Sequence, residues 1–191
     1  MISRPRQRRF TVEEYHRMGE TGILVEDEPV ELIHGAIIVS EPIGARHAGT
    51  VNRITRLFVS QLGDRAVVQV QNPIELAQER SEPEPDVALL RPRTDFYATA
   101  HPVAADVFLL VEVADSSLLL DRRVKIPLYA RAGVREVWLM DLTQDRVAVY
   151  RAVRGARYRE RSVVEHGQRL APGAFPELTL TVEDLIGPRD R

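Results

Sequence analysis

The sequence predicts an α/β (α+β) domain in which helices flank a mixed β-sheet and a β-meander lies toward the C-terminus. Three observations carry this. Strand-like and helix-period runs alternate through the first 133 residues, as they do in layered α/β folds. Residues 106–114, DVFLLVEVA, are an almost unbroken apolar run, the mark of a strand covered on both faces. After Gly133, three strand-like runs follow one another with no helical pattern between them.

Taken in order, Thr11-Val-Glu-Glu14 has the form of a capping box, which starts a short helix that runs to about Thr21 and stops at Gly22. Residues 30–40, VELIHGAIIVS, form a hairpin turning near His34-Gly35. Between Arg46 and Leu62, apolar residues at 51, 54, 57, 58 and 62 recur at helical spacing, and Gly63 ends that helix. Residues 66–71 and 74–77 are two strands parted by Asn72-Pro73, and the loop QERSEPEP then delivers Asp86 into the strand DVALL. The apolar strand 106–114 precedes a helix over 121–132 that ends at Gly133. The strands 134–141, 146–152 and 157–164 make the meander, and a short helix near 181–186 follows. The expected order is therefore α-ββ-α-ββββ-α-βββ with a helical tail. Residues 10–187 form one domain, between a flexible basic N-terminus at 1–9 and a flexible tail at 188–191.

Composition narrows the chemistry. The chain has 191 residues, 44% hydrophobic and 28% charged, which are ordinary globular values. Cysteine is absent, which excludes thiolate metal sites, a cysteine nucleophile and disulfides, and agrees with a reducing cytoplasm. The longest stretch without Asp, Glu, Lys or Arg is 96–105, far short of the about 20 apolar residues of a spanning helix, so no membrane association is expected. The basic start MISRPRQRRF runs into the charged TVEEYHRMGE and not into an apolar signal core. Net charge is −2, but its distribution is uneven. Residues 1–10 carry four Arg and no acid, residues 144–161 six Arg against two acids, and residues 75–95 six acids against three Arg. Basic flanks around an acidic centre suit a polyanion held over a cation site, although any solvated surface is charged. Of 26 basic residues one is lysine, Lys125. An ammonium is a compact point donor whose pKa can shift, which a guanidinium is not.

Five further residues stand out beside Lys125. Glu112 interrupts the apolar run VFLLVEVA, and a buried carboxylate needs a cation, a paired arginine or an opening to solvent. Asp86 follows the rigid Glu-Pro-Glu-Pro lead-in and is either a turn residue or the second carboxylate of an oxygen site, which would select Mg²⁺, Mn²⁺ or Ca²⁺. Lys125 lies 13 residues after Glu112, a strand–loop–helix return, or else pairs with Asp121 four residues earlier. Tyr129 lies one turn beyond Lys125 on the same face. Glu31 on the hairpin and His47 in the first helical turn are, taken alone, ordinary surface residues. A helix N-terminus can nevertheless hold phosphate. No G-x-S-x-G, P-loop or G-x-G-x-x-G is present, the five histidines lack zinc-helix spacing, and aromatics at 6% are too few for a carbohydrate groove.

The order Glu31, Pro85-Asp86, Glu112-Val113, Lys125 resembles the PD-(D/E)XK nuclease superfamily, with its restriction-endonuclease-like core. More narrowly, the chain resembles the Uma-two endonuclease family over about residues 10–187. The matching pieces are FTVEEYHRM, VELIHGAIIVSEP followed by His47, EPDVALLRP, FLLVEVADSS and, most specifically, DRRVKIPLYARAGVREVWLMDL. The resemblance implies a metal-dependent endonuclease acting on DNA. Asp86, Glu112, the Val113 carbonyl and Glu31 would hold Mg²⁺, with Mn²⁺ as a substitute, and Lys125 would act beside them. His47 and Tyr129 would contact substrate. The superfamily lysine is expected two residues after Glu112, where this chain has Ala114, and the helix residue Lys125 takes its place. Ala114-Asp115-Ser116 departs from the usual Ser-Pro-Ser/Thr. A homodimer would bring two centres to the two strands of a duplex. The alternative is a non-cleaving DNA-binding or regulatory module on the same fold.

Overall fold

The computed structural model describes residues 7–25, 28–40 and 42–188. Of the two expected flexible ends, residues 1–6 and 189–191 lie outside these. Helix α1 (Val12–Glu20) opens on the complete capping box, with the Glu14 amide on Thr11 Oγ1 and the Thr11 amide on Glu14 Oε2. Strands β1 (Val30–Ile33) and β2 (Ala36–Val39) form the hairpin, with both turn residues at positive φ, His34 at 50° and Gly35 at 73°. That is the twist a two-residue hairpin requires. Gly35 also has no room for a side chain, because a Cβ there would lie 2.8 Å from the Phe10 carbonyl. Helix α2 (Ala45–Leu62) presents Val51, Ile54, Phe58 and Leu62 to the core and stops at Gly63.

Six strands make one sheet, in the order β3-β4-β5-β6-β7-β8. They are β3 (Val67–Val70), β4 (Val87–Leu90), β5 (Val107–Ala114), β6 (Val137–Asp141), β7 (Arg146–Val153) and β8 (Tyr158–Glu165). Only β5 and β6 run parallel, and every other neighbouring pair is antiparallel. A parallel pair needs a crossover. Here it consists of α3 (Leu118–Leu120), a π-helical turn (Asp121–Lys125) and α4 (Ile126–Ala132), closed by Gly133 in the left-handed conformation. The expected mixed sheet, flanking helices and β6–β7–β8 meander are therefore present. Strands β9 (Arg169–Leu170) and β10 (Leu180–Thr181) add a small ladder before α5 (Val182–Ile186).

Two elements differ from the sequence prediction. Residues 74–77 are not a sheet strand. Gln71 turns at φ 47°, Pro73 has no amide to donate, and Leu76 pairs back to Ser81 through an isolated bridge. The crossover helix begins at Leu118 rather than 121 and widens into its π turn directly before Pro127. A proline in a helix removes a hydrogen bond and crowds the preceding turn, and a wide turn relieves both.

Alternation along β5 divides the core. Leu109, Val111 and Val113 pack with Ile54, Phe58, Trp138 and Leu185 on the α2 side. Leu110 and Ala114 pack with Leu128, Tyr129 and Leu139 on the α4 side. Each fully buried side chain of this size contributes roughly 1.5–3 kcal/mol. The register of the strands is thus strongly fixed, since a one-residue slip would exchange the two faces.

Candidate active site

The same alternation determines where the acids go. Glu112 shares its face with Leu110 and Ala114, so it points toward α4. On β4, Ala88 and Leu90 also face α4, and Asp86, two residues before Ala88, has the same parity. The pairing of Ala88 with Leu110 and of Val87 with Val111 brings Asp86, one step earlier, opposite Glu112. Ile33 of β1 packs in the same cluster, which puts Glu31 on the inner face of the hairpin. Three carboxylates from three strands therefore converge under the crossover helix.

Lys125 reaches them from the π turn. It is only 7% exposed, and its Nζ lies 3.0 Å from Glu31 Oε1 and 3.6 Å from Glu112 Oε1. Burial opposes its charge, but Glu112, Glu31 and Asp121 outweigh burial and push its pKa above the usual lysine value. Lys125 is therefore an ammonium at any working pH. Glu112, at 2% exposure, has its carboxyl raised well above the ordinary range, chiefly by burial, with Lys125 acting against the rise. Tyr129 is fully buried, and its hydroxyl donates to Glu112 Oε1. The residue expected to contact substrate thus lies behind a carboxylate.

Asp86 is held from three sides. The Val113 amide donates to Oδ2 at 2.7 Å, Gln71 Nε2 donates to Oδ1 at 3.2 Å, and His47 Nε2 is 3.0 Å from Oδ1. The hydrogen bond to Asp86 raises the His47 pKa, against its burial. Helix α2 can deliver His47 there because Arg46 anchors the same turn, donating to the Leu142 carbonyl at 2.5 Å and to Asp145 at 2.6 Å.

The structure thus brings Glu31, Asp86, Glu112, Val113, Lys125, His47 and Tyr129 into one region. It adds three residues that the sequence reading did not assign. Asp121 is 3% exposed, accepts from Ser117 Oγ at 2.6 Å, and has its carboxyl raised by burial, with Lys125 opposing. Its spacing four before Lys125 was visible, but as a surface pair. Gln71 orients Asp86. Glu84, half-buried between Glu31 and Glu82, has its carboxyl raised by burial and by Glu31, again with Lys125 opposing.

The donor set fits a hard divalent cation. All the side chains are oxygen ligands, Glu31 Oε2 is buried without a hydrogen-bond partner, and Glu112 carries a desolvation cost that a cation would relieve. Lys125 stands between the Glu31 and Glu112 carboxylates. Among the described residues, the three carboxylate and imidazole ligand atoms that lie within 4.8 Å of one another are elsewhere, at His16, Glu82 and His101. Another buried acid, Glu136, is committed to structure. It accepts from Trp138 Nε1 at 2.7 Å, Arg151 at 2.6 Å and the Gly173 amide at 2.7 Å.

Fold and site together define a mixed-sheet α/β domain with an acid–lysine centre at the adjoining ends of β4 and β5. The chain belongs to the Uma2 family, described as "Putative restriction endonuclease", which matches residues 12–183. It is similar in structure to a crystallised "putative nuclease belonging to DUF820" from Anabaena variabilis ATCC 29413. The TM-score is 0.73 over 93% of this chain and 97% of that one, at 21% identity, a likeness of fold. Among curated proteins none matches the sequence. Among the described residues no helix is long and apolar enough to cross a membrane.

Proposed function

We propose that the protein is a metal-dependent endonuclease that hydrolyses phosphodiester bonds in DNA. The observation that carries this reading is the buried Lys125 ammonium between Glu31 and Glu112, beside Asp86 at the adjoining strand end. Membership of a family described as a restriction endonuclease supports the reaction class.

Asp86, Glu112, the Val113 carbonyl and Glu31 would hold Mg²⁺ or Mn²⁺. When bound there, the ion would lower the pKa of a water and offset charge on the phosphate. The chain's own groups do the remainder. Lys125, fixed as an ammonium by its carboxylate neighbours, donates to the phosphate oxygens as charge builds on them. The Val113 amide and Gln71 aim Asp86, and Tyr129 aims Glu112, so neither carboxylate has to reorganise during the reaction. His47 Nε2, 3.0 Å from Asp86 Oδ1, helps to hold that carboxylate, and this contact raises the imidazole pKa. From that turn onward, Asn52, Arg53 and Arg56 line a groove of about 480 Å³ along α2, a basic path for a phosphate chain. Paired centres in a homodimer would cut both strands.

The test is incubation of the purified chain with supercoiled plasmid and with single-stranded DNA, in Mg²⁺, Mn²⁺ or EDTA, beside Lys125→Ala and Glu112→Ala. Metal-dependent cleavage lost in both variants is the expected result. Cleavage that survives EDTA, or that both variants retain, overturns the reading.

A further inference from the structure

A second set of donors lies where α1, the segment at residue 82 and the loop at residue 101 meet. His16 Nε2 is 2.7 Å from Glu82 Oε2, and ligand atoms of His16, Glu82 and His101 all lie within 4.8 Å of one another. The two imidazole rings have centres 6.1 Å apart. Two imidazoles on one tetrahedral zinc have ring centres roughly 5 Å apart. A shift of about 1 Å closes that gap, and the exposed His101 side chain is free to make it.

Three distant segments hold these residues, and each backbone is fixed independently. His16 stands on the capped helix α1. Glu82 donates its amide to the Leu32 carbonyl at 2.7 Å, so it lies against β1. His101 precedes Pro102, whose carbonyl accepts from the Glu75 amide at 2.9 Å. Glu82 is 4% exposed, and a carboxylate that deeply buried requires a cation or full hydrogen bonding. Its surroundings add negative charge, since Glu82, Glu84, Glu31 and Glu28 all act through space on the Tyr15 phenol beside it. The hydroxyl of Tyr15 is occupied by the Val30 carbonyl.

We propose that His16, Glu82 and His101 form a binding site for a borderline divalent cation, Zn²⁺, separate from the acid–lysine centre. Two nitrogens and one carboxylate oxygen are the donors zinc takes, whereas Mg²⁺ and Ca²⁺ take oxygen. Three protein ligands leave a fourth position for water. The ion ties α1 and the residue 101 loop to the segment that backs β1, one residue from Glu31. It thereby steadies the wall of the neighbouring centre, and it does so whether or not that centre cleaves DNA.

The experiment is a calorimetric Zn²⁺ titration of the full chain in excess Mg²⁺, which occupies oxygen sites and leaves a nitrogen-rich one open. Co²⁺ visible absorption reads the geometry in parallel. One equivalent of Zn²⁺ is expected in the parent and in Glu112→Gln, with tetrahedral Co²⁺ bands. His101→Ala removes an exposed side chain and leaves the fold intact. It is expected to weaken Zn²⁺ by more than the roughly 10–100-fold that loss of an outer-shell partner costs. Absence of Zn²⁺ binding, binding that His101→Ala leaves unchanged, or binding that Glu112→Gln alone abolishes would each overturn the proposal.

Discussion

Replacing Lys125 with Met keeps an aliphatic stem of similar length and removes the charge. In the native protein Nζ stands 3.0 Å from Glu31 and 3.6 Å from Glu112, among side chains exposed by 8, 11 and 2%. At such distances each ion pair is worth about 5 kcal/mol at an effective dielectric of 20, much of it offset by desolvation. Removing one member of a buried pair typically costs about 3–5 kcal/mol, because the partner is left charged and unpaired. The cost must depend on pH. Burial already raises the Glu112 and Asp121 carboxyls, and Lys125 opposes that rise, so its loss raises them further. A carboxyl whose folded pKa lies above its unfolded value favours folding at low pH, and that contribution is lost as pH climbs through the folded pKa. The deficit of Lys125→Met is therefore smallest near about pH 5 and largest near about pH 8. For a domain of this size, 3–5 kcal/mol corresponds to a fall in Tm of roughly 6–20 °C. Urea unfolding at both pH values reads it directly. Equal stability of variant and parent at both, or a deficit that shrinks as pH rises, would show that Lys125 does not hold these acids in their charged form.

Other outcomes follow from the same geometry. Tyr129→Phe keeps the buried ring and removes only the donor to Glu112, so Mg²⁺ affinity by calorimetry falls about 10–100-fold while Tm changes little. Because Glu112 holds its proton above the usual carboxylate range, Mg²⁺ binding releases protons and tightens as pH rises. Titrations in two buffers of different ionisation enthalpy measure that release, and identical heats would contradict it. Gly173→Ala places a Cβ 2.7 Å from Glu136 Oε2 and destabilises by about 1–3 kcal/mol in thermal unfolding. Gly19→Ala, in α1 with open space around it, is neutral or stabilising by up to about 1 kcal/mol.

The sequence showed the sheet and the position of Glu112 for the same reason. One carboxylate in an eight-residue apolar strand fixes both the burial of β5 and the singularity of that residue. The β1–β2 turn, the α2 stop at Gly63 and the α1 capping box were equally legible, because each depends on residue types with a local mechanism. What was hidden depends on contacts far apart in sequence or on irregular backbone. Glu31 looked like a solvated strand residue because Lys125, its partner, is 94 residues away. Asp121 looked like an exposed helical neighbour of Lys125. Nothing in a periodic pattern announces the π turn that buries both. The strand expected at 74–77 failed for a related reason. Its alternation was real, but Pro73 and the turn at Gln71 took it out of the ladder. The β9–β10 pair was too short to leave a period at all.

The central claim is that the acids gathered around Lys125 form a divalent-cation centre, and the most direct measurement is anomalous diffraction from crystals soaked in Mn²⁺. A peak is expected between the Asp86 and Glu112 carboxylates and the Val113 carbonyl, and none in Glu112→Ala crystals. Saturating Mn²⁺ with no peak at that position, or with a peak only at His16, Glu82 and His101, would contradict it.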